Sequence, residues 1–272
     1  MSASSLETVI LCGGMGTRLR EETEFKPKPM VEIGGYPIIW HIMRHYRHYG
    51  SNRFILCLGY KGDIIRNYFL NYHLYTKDLQ IDLETGNVES LMPTDNRVDW
   101  KVNLVETGQA SLTGRRIYRA LKYIQGDSFL VTYGDGVSDI DLDAVVSQHR
   151  RLGRLATVTA VHPSSRFGEL GLDEDVVRSF QEKPQVKDGW INGGYMVFQR
   201  RAFDLMEPDE NVTLEGGILE RLASIGELAV YRHHGFWQCM DTFREMQLLN
   251  DLWASGRAPW AFSQTTPMNV PD

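Results

Sequence analysis

Residues 11–30 read LCGGMGTRLREETEFKPKPM, and this stretch decides the fold. The apolar run just before it, ETVILC at 7–12, stops at Gly13 and Gly14 as a buried strand entering a glycine loop does. Downstream, Pro37 follows Gly34 and Gly35 and opens a segment whose Ile38, Ile42, Tyr46 and Tyr49 share one helical face before Gly50 ends it. A glycine loop between a first strand and a first long helix is where an open α/β sheet gathers its ligands.

Working outward, 53–58 reads as a second buried strand and 63–72 as a helix, an alternation that implies a parallel sheet covered on both faces. The pattern loosens over 74–105. There DLQIDLETGNVESLM predicts a hairpin turning at Thr85, Gly86 and Asn87, WKVNLVET predicts a further strand, and the whole stretch reads as an excursion from the core. The alternation returns with a helix at 114–124, strands at 128–133 and 155–161, and a helix at 142–152. A twisted hairpin at 168–182, a strand at 191–199 and helices at 214–224 and 240–254 complete the reading, with 263–272 as a frayed tail. No repeat or linker divides the chain, so a single α/β domain over 1–262 is expected, with a mixed, mostly parallel sheet and a small β excursion.

Composition narrows the function. The chain has 272 residues, 42% of them hydrophobic and 24% charged, with a net charge of -6. That sign argues against a nucleic-acid binder, which needs a positive field to displace counterions. A small phosphorylated substrate must then be met by local cations. No apolar run approaches the roughly 18 residues of a membrane helix, and MSASSLETVIL lacks a basic leader, so a cytoplasmic protein without membrane partners is expected. Cys12, Cys57 and Cys239 are odd in number and scattered, which gives neither a disulfide framework nor a zinc pattern.

In the glycine loop, backbone N–H groups can approach a triphosphate closely, with Arg18 and Lys28 supplying charge-assisted contacts. A dinucleotide fingerprint would need glycine or alanine where Leu19 stands, and no P-loop pattern occurs. A tight turn whose glycines only serve positive φ is the alternative. Lys26, Pro27, Lys28 and Pro29 add two cations on a stiffened, extended backbone, which lowers the entropy lost in aiming one at a phosphate.

TYGDG places Asp135 directly after an apolar strand, and GFWQCMDT delivers Asp241 at the end of another extended run. Magnesium on a nucleotide needs one or two carboxylates plus phosphate oxygens and water, which this pair can supply. The alternatives are a turn residue for Asp135 and an N-cap for Asp241. Asp139, Asp141 and Asp143 read as starting and capping the next helix. His41, His45 and His48 share a face turned away from the Ile38, Ile42, Tyr46 stripe, which predicts solvated or interface histidines. Tyr68, Phe69, Tyr72 and Tyr75 read as an aromatic core or subunit contact.

GGMGTRL followed by KPKPMVEIGG resembles the signature of the sugar-nucleotide pyrophosphorylases, a family of Rossmann-like nucleotidyltransferases. EETEFKPKPMVEIGGYPIIWHIM, GYKGDIIRNYF, TYGDGVSD, RSFQEKP, INGGYMVF, GFWQCMDT and the T-G-x-x-S-x-T-G-x-R form of 107–116 resemble its glucose-1-phosphate cytidylyltransferase branch, over about 8–260. The resemblance implies transfer of a cytidylyl group from CTP to glucose 1-phosphate, a nucleotide half at about 7–135, a sugar-phosphate half at 136–262, and a homo-oligomer. It implies nucleotide contacts at Cys12, Gly13, Gly14, Gly16, Thr17, Arg18, Lys28, Ser111, Thr113, Arg116 and Gly134. Mg2+ would sit on Asp135 and Asp241. Sugar-phosphate contacts fall on Glu182, Lys183, Asn192 and Gly193, the glycine leaving room for the ring, and catalytic roles on Arg18, Lys28, Asp135 and Lys183. From the residues alone, a surface salt bridge is the better reading of Glu182 with Lys183, and Arg116 reads equally as a solvated helix residue. One departure stands out: a Trp-Glu-x-Glu-Pro stretch is expected where the chain has Leu214, Glu215, Gly216, Gly217 and Ile218, which opens the sugar's identity.

Overall fold

Val9 and Leu11 pack into one apolar layer while Ile10 and Cys12 pack into another, so the first strand is covered on both faces. A continuous apolar run gives this result at period two inside a parallel sheet. The computed structural model describes residues 3–16, 19–75, 78–91, 98–163, 169–173, 176–181 and 189–262. Its strands in chain order are β1 Thr8–Leu11, β2 Glu32–Ile33, β3 Tyr36–Pro37, β4 Arg53–Leu58, β5 Leu79–Ile81, β6 Val88–Ser90, β7 Lys101–Glu106 and β8 Ser128–Tyr133. They continue with β9 Gly136–Ser138, β10 Ala156–Val161, β11 Glu169–Asp173, β12 Val176–Gln181, β13 Ile191–Gln199, β14 Leu228–Arg232 and β15 Trp237–Cys239. The helices are α1 Arg20–Thr23, α2 Ile38–His48, α3 Gly62–Leu70, α4 Tyr72–Tyr75, α5 Thr113–Ala120, α6 Leu142–Leu152, α7 Glu220–Ser224 and α8 Phe243–Ala254.

The main sheet has the order β14-β10-β13-β8-β1-β4-β7. β13 runs antiparallel to β10 and β8, and the other neighbours are parallel. This is the mixed, mostly parallel sheet expected. Ile42 and Tyr46 of α2, Val145 of α6 and Leu249 of α8 cover one face. Ile117 of α5, Leu222 of α7 and Phe203 cover the other. Each such side chain contributes roughly 1.5–3 kcal/mol on leaving water.

Three expectations need correction. WKVNLVET is not part of an excursion: β7 pairs with β4 along its length, from Arg53 opposite Lys101 to Leu58 opposite Glu106. As the sheet's edge it buries only part of its side chains, with Lys101, Asn103 and Glu106 exposed, so it lacks the apolar run of a central strand. The excursion reduces to the β5–β6 hairpin and its flanks. The closing helix starts at Phe243 rather than at Met240, because Thr242 and Glu245 form a reciprocal capping box. His41 and His45 are core residues, 2% and 1% exposed, with Nε2 of each bonded to a backbone carbonyl, Ile33 O at 2.9 Å and Ile140 O at 2.7 Å. Their helix is enclosed on more than its sheet side, with the indoles of Trp253 and Trp260 beside His41. Burial pushes both imidazoles down to about 4. Only His48 is exposed, stacked on Phe262.

Candidate active site

Beyond Leu11 the chain is held by its neighbours before it opens. Cys12 N donates to Cys57 O at 3.1 Å, and Gly13 O accepts from Tyr60 N at 3.3 Å and from Arg116 Nη2 at 3.1 Å. A Cβ on Gly13 would stand 2.3 Å from Arg116 Cζ, so a side chain here would force the Arg116 head to shift. One residue further the surroundings change: a Cβ on Gly14 would meet nothing within 4 Å, and Gly16 turns the loop at φ 62. The loop is therefore packed at Gly13 and open at Gly14. The Cys12 thiol is buried, donates to Ile10 O at 3.5 Å and is pushed up by burial, so only its backbone faces the loop. Thr17 and Arg18 lie outside the described residues.

Arg116 is not a solvated arginine. It is 4% exposed, and its guanidinium donates to Leu58 O at 2.9 Å, Thr107 Oγ1 at 2.8 Å, Gly13 O at 3.1 Å and Gln109 O at 3.2 Å. The side chain fastens the ends of β4 and β7 to the glycine loop. Burial holds its pKa below the ordinary arginine range.

The two acids come together because β9 and β15 form a short antiparallel ladder, with Gly136 opposite Cys239. Met240 N extends it by donating to Asp135 O at 2.8 Å, which sets Asp241 beside Asp135. Gly134 gives the turn its closeness: a Cβ there would stand 2.9 Å from Leu11 O and from Pro29 Cγ. That contact also brings the lysine–proline run to the acids. Lys28 Nζ donates to Asp135 Oδ2 at 2.7 Å and to Asp241 Oδ1. Burial alone would pull the ammonium down, yet the charge and hydrogen bonds of Asp135 and Asp241 outweigh it and hold the pKa above the ordinary lysine value. Asp241 does not cap α8; Thr242 does, and Asp241 N instead donates to Glu245 Oε2 at 2.7 Å. Of the neighbouring acids, Asp141 caps α6 as expected, accepting from Ala144 N at 2.9 Å.

The acid pair fits a divalent cation. It already grips one positive charge, and Lys28, Asp135 and Asp241 side chains retain 11%, 31% and 14% exposure. Among the described residues no third histidine, cysteine or carboxylate completes a ligand set, so such an ion would draw its remaining oxygens from phosphate and water.

On β13, Asn192 Oδ1 accepts from Gly194 N at 3.0 Å, and Trp237 Nε1 donates to Gly193 O at 2.7 Å. Gly193 packs against Val161, whose Cγ1 would be 2.6 Å from a Cβ there. Glu182 and Lys183 lie outside the described residues. Ser111 Oγ accepts from Arg119 Nη1 at 3.2 Å, and Thr113 opens α5 with its hydroxyl donating to Glu215 Oε2 at 3.2 Å. Tyr133 OH donates to the other oxygen of Glu215. No sequence pattern singles out Tyr133, and Glu215 is marked only by its place in the altered stretch. Burial, then Glu215, pushes the Tyr133 phenol up.

Residues 7–244 match the family model described as nucleotidyl transferase. Glucose-1-phosphate cytidylyltransferase of Salmonella typhi is 48% identical over 94% of this chain and 98% of its own length. The probable glucose-1-phosphate cytidylyltransferase of Bacillus subtilis is 44% identical over 94% of this chain and 99% of its own. Two solved structures share the fold: HddC from Yersinia pseudotuberculosis has TM-score 0.65 at 24% identity, covering 91% of this chain and 99% of that one. The inositol-1-phosphate CTP transferase from T. maritima has TM-score 0.61 at 15% identity, covering 93% and 98%. With likeness running through both the glycine loop and the acid pair, the chain belongs to the nucleotidyl transferase family.

Proposed function

We propose that the chain transfers a cytidylyl group from CTP to the phosphate of glucose 1-phosphate, giving CDP-glucose and pyrophosphate. Full-length likeness to two cytidylyltransferases supports the substrates, and the observation that carries the chemistry is Lys28 seated between Asp135 and Asp241, with its Cβ 3.3 Å from where a Cβ on Gly16 of the glycine loop would stand. The attacking phosphate oxygen is already an anion, so no protein base is needed, and positioning with charge neutralisation accounts for the rate. Magnesium held by Asp135 and Asp241 would supply Lewis-acid stabilisation of the charge that develops on the phosphates. Lys28 would then turn its ammonium from the acids to the triphosphate, beside the open backbone at Gly14 and with Arg18. Lys183 would receive the incoming phosphate, and Glu182 and Asn192 the sugar hydroxyls. Among the described residues no helix is long and apolar enough to cross a membrane, and we place the enzyme in the cytoplasm as a homo-oligomer.

A second reading keeps the chemistry and changes the sugar. Gly217 and Ile218 stand where an acid and a proline are expected, while Glu215 is bonded to Tyr133 and Thr113. A non-catalytic relative is disfavoured because Lys28 and both acids are retained. Pyrophosphate release measured with CTP, UTP, GTP and ATP against glucose 1-phosphate and other sugar 1-phosphates tests these readings. Turnover is expected with CTP and glucose 1-phosphate; preference for another nucleotide, or no turnover, overturns the proposal. Asp135→Asn should lower kcat by about 1000-fold or more, and near-normal turnover at saturating magnesium would refute the assignment of the acids.

A further inference from the structure

A groove of about 960 Å³ lies between α5 with the turn after it and the 3-10 turn Arg200–Leu205. Neither the glycine loop nor Lys28, Asp135 or Asp241 lines it. Arg115, Arg119, Lys122, Arg200 and Arg201 line it, against Glu106, Asp127 and Asp204. On a chain of net charge -6 this is a local reversal of sign. The acids do little to cancel it. Among the described residues no carboxylate lies within 4.0 Å of Arg119, Lys122, Arg200 or Arg201; Arg115 is 3.9 Å from Asp209, and Glu106 leans toward Arg66 at 3.7 Å.

Two of these cations are held in place. Arg200 donates from one Nη to Ile124 O at 2.9 Å and from the other to Leu121 O at 2.8 Å, and Arg119 Nη1 donates to Thr107 O at 2.7 Å. Neutral carbonyls fix the guanidinium heads while leaving their charge uncompensated, so an arriving anion pays little side-chain entropy. Apolar walls, including Val105 and Phe203, lower the local dielectric and strengthen the attraction. The volume is within the range of small-molecule sites, roughly 300–1,000 Å³.

We propose that this groove is a second anion site that takes a phosphoanhydride, either pyrophosphate or the diphosphate of a nucleotide. Cations on two walls suit an anion charged at both ends better than a single phosphate. The groove is wired to the catalytic cleft through α5. Arg119 faces the groove and bonds Thr107 O, and Thr107 Oγ1 accepts from Arg116 Nη1 at 2.8 Å. Arg116 in turn holds Gly13 O. An anion bound at Arg119 thus acts one residue away from the clamp on the glycine loop.

Isothermal titration calorimetry of the full chain in excess chelator, with inorganic pyrophosphate as the probe, tests this without turnover, so failure here leaves the assigned activity untouched. The expected result is one equivalent of pyrophosphate that survives Lys28→Ala and is weakened about tenfold or more by Lys122→Gln with Arg201→Gln. Both substituted side chains are exposed, so folding is not at stake, and Lys122→Arg with Arg201→Lys should restore binding. Tighter binding of CDP than of pyrophosphate at this equivalent assigns the site to nucleotides, and equal binding assigns it to the diphosphate alone. The proposal is overturned if the glutamine pair leaves binding unchanged. It is also overturned if sulfate at matched ionic strength displaces both probes equally, or if the glutamine pair alters only the oligomer size, which would make the groove a contact between copies.

Discussion

Arg116→Met tests whether this arginine is a clamp or a direct ligand for the nucleotide. The substitution keeps an apolar stem of similar length and removes every donor from four acceptors: Leu58 O, Thr107 Oγ1, Gly13 O and Gln109 O. Hydrogen bonds from a charged donor contribute about 1.5–3 kcal/mol each, so a simple sum would be roughly 6–12 kcal/mol. Two corrections reduce it. Leu58 O keeps Thr107 N at 3.1 Å and Thr107 Oγ1 at 2.6 Å, and Gly13 O keeps Tyr60 N at 3.3 Å, so neither carbonyl is left bare. The guanidinium also gave up several kcal/mol of hydration on burial, which the variant no longer loses. A net destabilisation of about 3 kcal/mol remains, a large part of the roughly 5–15 kcal/mol that holds a domain together. Urea denaturation of wild type and variant reads this directly, and CTP saturation kinetics read the consequence at the loop. Arg116→Lys should recover only part of the stability, because one ammonium cannot reach four acceptors set around a planar fork. If Arg116→Met unfolds within about 1 kcal/mol of wild type while the KM for CTP rises by about tenfold or more, the side chain contacts nucleotide and the clamp argument is wrong.

Gly13→Ala should destabilise by about 1–3 kcal/mol, since its Cβ would press on the tethered Arg116 head, whereas Gly14→Ala should stay within about 0.5 kcal/mol and lower activity instead; thermal melts of the pair decide. Stability should fall as pH drops from about 6.5 to about 4, because the unfolded chain takes up protons that buried His41 and His45 refuse, with up to about 3 kcal/mol from each; urea midpoints that stay flat across this window would contradict it. Glu215→Gln should raise the KM for the sugar 1-phosphate by about tenfold with little change for CTP, as Tyr133 and Thr113 lose a charged acceptor; steady-state kinetics in both substrates would show the opposite split if Glu215 served the nucleotide.

What could be read from the chain follows from how its surfaces are covered. β1, β4, β8, β10 and β13 are buried on both sides and stand out as apolar runs, and α2, α5 and α6 show helical spacing. β7 and β14 bury only part of their side chains, so neither shows the apolar run of a central strand. The histidines of α2 are hidden for a related reason: a stripe of three apolar residues understates the buried arc of a helix enclosed on more than one side. Asp135 between two glycines at a strand end pointed to the cleft, but its partner lies far along the chain, and only the β9–β15 ladder brings them together. Arg116 and the Tyr133–Glu215 link were hidden because their partners are backbone carbonyls and residues of distant segments, which no local pattern records. The roles of Glu182 and Lys183 rest on the resemblance, Arg18 is read from the glycine loop itself, and all three lie outside the described residues.

The short ladder between Gly136–Ser138 and Trp237–Cys239 makes the acid pair conditional on the last part of the fold closing over the middle. A ribosome-bound nascent chain that has emerged only as far as the first acid has no two-carboxylate grip to offer.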